Sequence, residues 1–298
     1  MHNLTKQLLL IGIGEILWDV LPAGKLLGGA PANFVYHARA LGGDATLVTA
    51  VGDDDEGRAI DRQLVALGLG TEYVANDPIH PTSSVQVTLD EHGKPSYMFR
   101  SDVAWDFMVL TDGLKQLARK ADAICFGTLA QRSPVTRAAI QGFLAESAPT
   151  ALRMLDINLR QSFYSKEVIE QSLRLANALK INDEELATVA ALFDLHGDEL
   201  AQLQQIEERY QLQLVALTRG ARGSLLLSRG KISRHEGFPV QVVDTIGAGD
   251  AFTAALVMGF LGGQDLDAVH DHASRLAAFV CTQKGATPAH PAAFPSYK

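Results

Sequence analysis

The sequence predicts an α/β fold: a mostly parallel central sheet covered by helices on both faces, with a small β layer beside it. Three observations carry this. Apolar runs of strand length alternate with amphipathic stretches of helical length. The stretch SSVQVTLDEHGKPSYMFR (83–100) breaks that order, alternating polar and apolar residues around EHGKP as a half-wet hairpin does. The chain has 298 residues, enough to bury a substantial core in one domain, 1–298.

The elements follow in order. LLLIGIG (8–14) reads as a buried strand. It is not expected to be a secretory signal: the apolar run is short, Glu15 interrupts it, and no small-residue cleavage site follows. Residues between Glu15 and Leu27 carry no helical pattern. Together with the hairpin they are assigned to the β layer, as segments of about 14–30 and 82–106. A lid that excludes water from a cleft is one use of such a layer. A dimerisation ledge is another, which leaves a homodimer open. Eight residues separate Asp19 from Gly28, so any lid strand there is short.

Helices are expected at 31–41, 56–67, 112–120, 134–146, 166–178, 183–192, 198–210, 249–262 and 266–283. Further strands are expected at 45–51, 123–128, 153–158 and 214–220, joined by right-handed crossovers. GSLLLSRG (223–230) and KISRHEG (231–237) read as an antiparallel pair.

Composition narrows the function classes. Net charge is -8 with no basic patch, which disfavours nucleic acid as a partner. The apolar segment AALVMGFLGG is too short to span a bilayer, so no membrane partner and a cytoplasmic location are expected. Cys125 and Cys281 sit in apolar contexts and form no CxxC, so both are read as buried free thiols. His270 and His272 face different sides of a helix, which argues against a histidine metal site.

DTIGAGDAF (244–252) is the most informative stretch. A helix start leaves four backbone N–H groups unpaired and carries partial positive charge. Gly247, Ala248 and Gly249 before an apolar run therefore build an anion pocket from backbone. Asp250 falls in the first turn, placed to take a proton from an alcohol attacking phosphorus. Asp244 precedes the turn and could hold a cation. A capped helix with glycine in the preceding turn would show the same spacing. Other phosphate motifs fail: there is no GxxxxGK[ST], and Leu17 stands where a dinucleotide GxGxxG needs its third glycine.

DTIGAGDAF resembles the C-terminal signature of the ribokinase-like sugar kinases, the family that includes the bacterial fructokinases. LLGGAPANFVYHARALGG (26–43) is similar to its N-terminal signature. VGDDDEGR (51–58), DINLR (156–160), KINDEE (180–185), LTRGARGS (217–224) and TQKGATPAHP (282–291) follow in the family's order. FGTLAQRS (126–133) and GGAPAN are most similar to the fructokinase branch. The resemblance spans essentially the whole chain. It implies a three-layer α/β/α ribokinase-like fold and an ATP-dependent sugar kinase, with Mg²⁺ and K⁺ as cofactors and a monosaccharide and ATP as its small-molecule partners.

Residue by residue, the resemblance implies that Asp250 is the catalytic base and Gly247, Ala248 and Gly249 its anion hole. Asp19, Gly28, Gly29 and Asn33 would hydrogen-bond sugar hydroxyls. Asn182 and Glu185 would help place Mg²⁺ and phosphates, and Thr218, Gly220 and Gly223 would form the nucleotide loop. Asp244 and the backbone at Ile246, Val280, Gln283, Gly285 and Ala289 would hold a monovalent cation. Arg100, at the hairpin end, and Arg160, after a strand carboxyl end, are candidates for the substrate cleft; either could instead be a surface ion pair. Trp105 could stack on a sugar ring; it is read first as a core or lid-packing aromatic. Asp102 and Asp106 close to Arg100 tilt the substrate towards a neutral sugar, fructose first. 2-Keto-3-deoxygluconate kinase, ribokinase and nucleoside kinase are the near alternatives. A non-catalytic sugar or nucleotide sensor is an alternative of a different class.

Overall fold

Strand β1 (Leu9–Ile13) runs through the interior of the larger sheet, parallel to β4 (Asp44–Gly52) on one side and β8 (Ala123–Phe126) on the other. Beyond β4 lies β5 (Val74–Asp77). Beyond β8 come β9 (Leu152–Asp156), β10 (Ala178–Asn182) and β11 (Leu214–Thr218), all parallel. β12 (Ser224–Ser228) and β13 (Lys231–His235) finish that edge antiparallel, the pair expected at the tail. The order β13-β12-β11-β10-β9-β8-β1-β4-β5 reverses direction of growth between β1 and β8. Such a switch point opens a crevice at the carboxyl ends of the strands. The computed structural model describes residues 7–21, 24–89, 95–291 and 294. Most of the hairpin turn EHGKP falls outside the described residues.

Helices cover both faces. α1 (Ala30–Ala40), α2 (Asp55–Ala66), α8 (Ala248–Leu261) and α9 (Leu266–Cys281) pack with one apolar cluster that contains Phe34, Leu47, Leu256 and Leu276. α3 (Asp112–Lys120), α4 (Pro134–Glu146), α5 (Lys166–Leu175), α6 (Asp183–Phe193) and α7 (Glu199–Tyr210) pack with the other, around Ile11, Phe126, Phe143 and Leu179. This is the three-layer arrangement. α8 is buried without interruption from Ala251 to Gly259, because α1, α9 and the sheet enclose it.

Most helices open on a side-chain cap. Asp54, Thr111, Ser133, Ser165, Asn182, Asp198 and Asp265 each accept a backbone N–H of the first turn. α1 and α8 instead open on Gly29 and Gly247, with no side-chain cap. Their starts meet at the crevice, where orphan N–H groups remain for other partners.

The smaller sheet has the order β3-β2-β6-β7, from β3 (Gly24–Gly28), β2 (Leu17–Leu21), β6 (Ser84–Leu89) and β7 (Pro95–Phe99). Strand alternation divides β2 between two tasks. Trp18 packs into the main core and donates Nε1–H to the Glu56 carbonyl at 3.2 Å. Leu17 joins Val85 and Phe99 in a separate small core.

Three expectations need correction. The helix expected at 166–178 ends at Leu175, and residues 178–182 form β10. Its five residues, ALKIN, carry a lysine and an asparagine and merge with flanking helical patterns. β5, of sequence VAND, has too short an apolar run to be read as a strand and was likewise not expected. Cys125 is a buried free thiol, whereas Cys281 is only partly buried. Trp105 is fully buried, as a packing aromatic should be.

Beside Trp105, the Arg132 guanidinium lies 4.1 Å from the ring centroid and 4.8 Å from that of Phe163. It grips Asp106 with two hydrogen bonds, of 2.8 and 2.7 Å, and donates to the Arg100 carbonyl at 2.6 Å. Both side chains of the pair are at least nine-tenths buried. Removing one partner strands the other charge. Asp106→Ala is expected to cost about 3–5 kcal/mol in urea unfolding; a loss under about 1 kcal/mol would mean that Arg132 swings out to water.

Candidate active site

The crevice holds a cleft of about 650 Å³. From the main sheet come Glu15 after β1, Asn158, Arg160 and Gln161 after β9, and Lys180 and Asn182 on β10. The small sheet contributes Leu17, Asp19, Gly28 and Phe99, and the turn into α8 contributes Thr245 to Gly247, Gly249 and Asp250.

Gly247 makes that turn possible. Its φ is 79°, and a β-carbon there would stand 2.6 Å from the Ala286 Cα, so no other residue fits without displacing backbone. Ala248 to Asp250 then form the first turn of α8, aiming its N–H groups at the cleft. Gly29 does the same for α1, with φ 117° and the Glu15 carbonyl 2.6 Å from where a β-carbon would be.

The two helix starts are joined by one bond. Asn33 on α1 donates Nδ2–H to the Asp250 Oδ2 at 2.8 Å. Asp250 keeps a narrow exposure through the cleft, yet protein surrounds its carboxyl. Burial pushes that carboxyl up to about 6 and the Asp156 charge adds to the push, while Asn33, Lys180 and Arg160 act in the opposite direction. An acid poised there is a workable general base near neutrality.

Beneath the turn, the Lys180 ammonium pairs with the Asp156 Oδ1 at 3.0 Å. It also lies 3.0 Å from where a β-carbon on Gly249 would be. Burial acts to lower the Lys180 pKa, but the Asp156, Glu185 and Asp250 charges outweigh it and the net shift is upward. Thr253 is within 3.0 Å of both the Asp156 Oδ2 and the Gly249 carbonyl. A buried positive charge thus underlies the anion pocket.

Asp19 faces the cleft from β2; burial pushes its carboxyl up to about 6, with Arg160 opposing. Arg160 is exposed at the cleft wall, and its charge reaches Glu15, Asp19 and Asp250. Asn182 and Glu185 form a capping box at α6. The Asn182 Oδ1 accepts the Glu185 N–H at 2.8 Å; the Glu185 carboxylate accepts the Asn182 N–H at 2.9 Å and the Leu159 N–H at 3.0 Å. Both line the cleft while serving as a helix start.

Thr218 ends β11 in register with Asn182, so the turn that follows, 220–222, adjoins the cleft without lining it. Gly220 opens that turn and Gly223 follows it. Arg100 is exposed past the end of β7 and lies outside the cleft lining, where Phe99 stands instead.

The stretch 282–291 is fastened beside α8. The Asp244 carboxylate accepts the Ile246 N–H at 3.0 Å and the Gly285 N–H at 3.1 Å. Val280 and Gln283 are joined, Gln283 N–H to Val280 carbonyl, at 2.9 Å. His37 on α1 sits 2.9 Å from the Ala286 carbonyl through Nε2. A carbonyl only accepts, so His37 donates there and its Nδ1 accepts from the His290 Nε2–H at 2.8 Å. Burial holds the His37 pKa down at about 3, which keeps this neutral tautomer. Ala289 is exposed just before His290.

His270 is buried against Ser224 and Ser233, at 2.7 and 2.9 Å. Among the described residues no cluster of three His, Cys, Asp or Glu side chains has metal-binding geometry. Sequence reasoning missed Glu15, Asp156 and Lys180 as site residues. Glu15 carried a signal, an acid inside an apolar run; Lys180 was hidden by the unrecognised strand.

The family model for pfkB family carbohydrate kinases matches residues 23–293. A fructokinase of Escherichia coli is 30% identical, the match covering 94% of this chain and 95% of that one. An uncharacterised sugar kinase of Pyrococcus horikoshii superposes with a TM-score of 0.82 at 27% identity, covering 94% of this chain and 93% of the other. A double-mutant fructokinase of Vibrio cholerae, solved with fructose, ADP and a potassium ion, gives 0.79 at 25% identity over 95% of each chain.

The Asn33 bond favours the charged form of Asp250. Asn33→Ala should therefore raise the midpoint of the Asp250 carboxyl by about one pH unit in a ¹³C NMR titration. An unmoved midpoint would show that the bond does not act on that charge.

Proposed function

This chain belongs to the pfkB family of carbohydrate kinases, and from that premise we propose that it transfers the γ-phosphoryl group of ATP to a hydroxyl of a neutral monosaccharide, fructose first. The observation that carries this reading is the Asn33–Asp250 pair at the start of α8, on the floor of a polar cleft. Asp250 takes the hydroxyl proton as the sugar oxygen attacks phosphorus. Asn33 orients the carboxylate and keeps it charged. The N–H groups of Gly247, Ala248 and Gly249, with Lys180 beneath them, face the charge that spreads over the transferred group. Asp19, Gly28, Gly29, Asn33 and Arg160 hold the sugar hydroxyls. Arg100 reaches the sugar only if the small sheet moves inward.

Asn182 and Glu185 hold the cleft wall at which magnesium-bound phosphates would sit; Thr218, Gly220 and Gly223 receive the nucleotide. Asp244, with backbone oxygens at Ile246, Val280, Gln283, Gly285 and Ala289, supplies the hard oxygen donors that a potassium ion takes. Magnesium would neutralise phosphate charge there, and potassium would stiffen the anion pocket. The small sheet acts as a lid, since Leu17, Asp19 and Phe99 bring it to the cleft edge.

A neutral sugar is favoured over an acidic one by the charge of the cleft. Glu15, Asp19, Glu185 and Asp250 line it against Arg160 and Lys180, and Lys180 is already paired. Among the described residues no helix is long and apolar enough to cross a membrane.

Two measurements test this. Purified protein with ATP should phosphorylate fructose in preference to ketodeoxygluconate, ribose and nucleosides; strong turnover of ketodeoxygluconate with none of fructose would overturn the choice of sugar. Asp250→Asn should lower turnover by roughly 10²-fold or more while calorimetry still detects sugar binding. Undiminished turnover would remove Asp250 from the chemistry.

A further inference from the structure

Glu15 and Asp250 line a second, smaller space as well as the cleft. It lies under α1 and holds about 10 Å³, the room one water needs. Phe34, Phe126 and Cys125 give it apolar walls, and the polar lining comes from Glu15, Asp156, Asp250 and Thr253. A buried water requires two to four such partners.

These carboxylates are not equivalent. Asp156 is committed, Oδ1 to the Lys180 ammonium and Oδ2 to the Thr253 hydroxyl. Glu15 is 3% exposed, and among the described residues it forms no ion pair. The backbone N–H groups of Glu15 itself and of Ala30, the first residue of α1, act to favour its charged form. Burial pushes it up to about 7, the Asp250 charge adding to this and the Arg160 charge opposing it. The charged or titratable groups around the two acids are Asp19 on β2, Cys125 on β8, Asp156 on β9, Arg160 after it, Lys180 on β10 and Glu185 on α6.

We propose that Glu15 receives the proton from Asp250 through one water held in this chamber, which returns Asp250 to its charged form for the next turnover. This rests on the reading of Asp250 as the base. The sugar O–H bond breaks as the O–P bond forms, and the proton goes to Asp250. Asp250 then passes a proton to the water, and the water passes one of its own to the Glu15 carboxylate. Glu15 loses it to solvent through the cleft. One proton moves, and no electrons leave the acids. Burial pushes both carboxyls up towards neutrality, so a proton passes between them at small cost.

The ordinary alternative is that Glu15 only caps α1, whose own first position has no capping side chain. Glu15→Gln separates the two, because an amide oxygen can still face the Ala30 N–H but takes no proton. kcat and sugar KM are measured for wild type, Glu15→Gln and Asp250→Asn across about pH 5 to about 9. Glu15→Gln should lower kcat by about tenfold with KM held within about twofold. Its acid limb should move to lower pH, because the Glu15 carboxyl, whose charged form the relay needs, no longer titrates. Wild-type kcat with an unmoved acid limb, or a change confined to KM, would overturn the relay. If Asp250→Asn is inactive while Glu15→Gln matches wild type, the relay alone fails. If Asp250→Asn keeps full turnover, the base reading fails. Should Glu15→Gln not fold, Cys125→Val decides: it fills the chamber and leaves every carboxylate, so kcat should fall at unchanged KM, and an unaltered kcat overturns the relay.

Discussion

The structure turns on keeping the Asp250 carboxylate charged inside the protein. Burial alone would neutralise a carboxyl group, and the neighbouring Asp156 pushes the same way. One neutral donor, Asn33, and two cations, Lys180 and Arg160, act against that. Asn33 can reach only because α1 begins at Ala30, directly behind the Gly29 turn. Lys180 can underlie the site only because Asp156 and Thr253 occupy its surroundings with good geometry. An unpaired lysine at that depth would be expensive to bury.

Topology brings these groups together from distant parts of the chain. The sheet grows outward in two directions from β1 and β8, and the crevice between them collects the strand ends after β1, β9 and β10. α8 crosses the same place, buried all round, with its uncapped start pointing into the crevice. A fully enclosed helix cannot tilt without disturbing α1 and α9, so the first turn is held rigidly. The segment after α9 adds a second restraint. The paired histidines His37 and His290 hold Ala286 against Gly247, and their neutral state survives because burial depresses the His37 pKa. A proton on the His37 Nδ1 would set it against the His290 Nε2–H, so this arrangement requires His37 to be neutral.

The small sheet stands in a different relation to the site. β2 divides its residues between the main core, through Trp18, and the cleft, through Asp19. Among the described residues its own core comprises Leu17 and Val85, with Phe99 packed against them. Any movement of this sheet would carry Asp19 and Phe99 with it.

The sequence by itself determined the layered class, most helix and strand positions and the α8 turn. These rest on local physics: apolar period, capping side chains, and glycine where φ is positive. It also carried enough ordered motif to identify the family, and with it the candidate residues Asp250, Asn33 and Asp19, which the fold brings to one cleft. The sequence did not reveal β10, because ALKIN is too short and too polar to outweigh the helical patterns on either side. With β10 went Lys180, whose pairing with Asp156 joins residues 24 apart in sequence. The surroundings of Glu15 were equally hidden. An acid in an apolar run signals only a conflict; which helix start it lies near, and which carboxyls share its chamber, depend on the packing of α1 against β1. Local propensity is written residue by residue, whereas the charge balance at the floor of the cleft arises only when several strand ends and two helix starts are brought to one point.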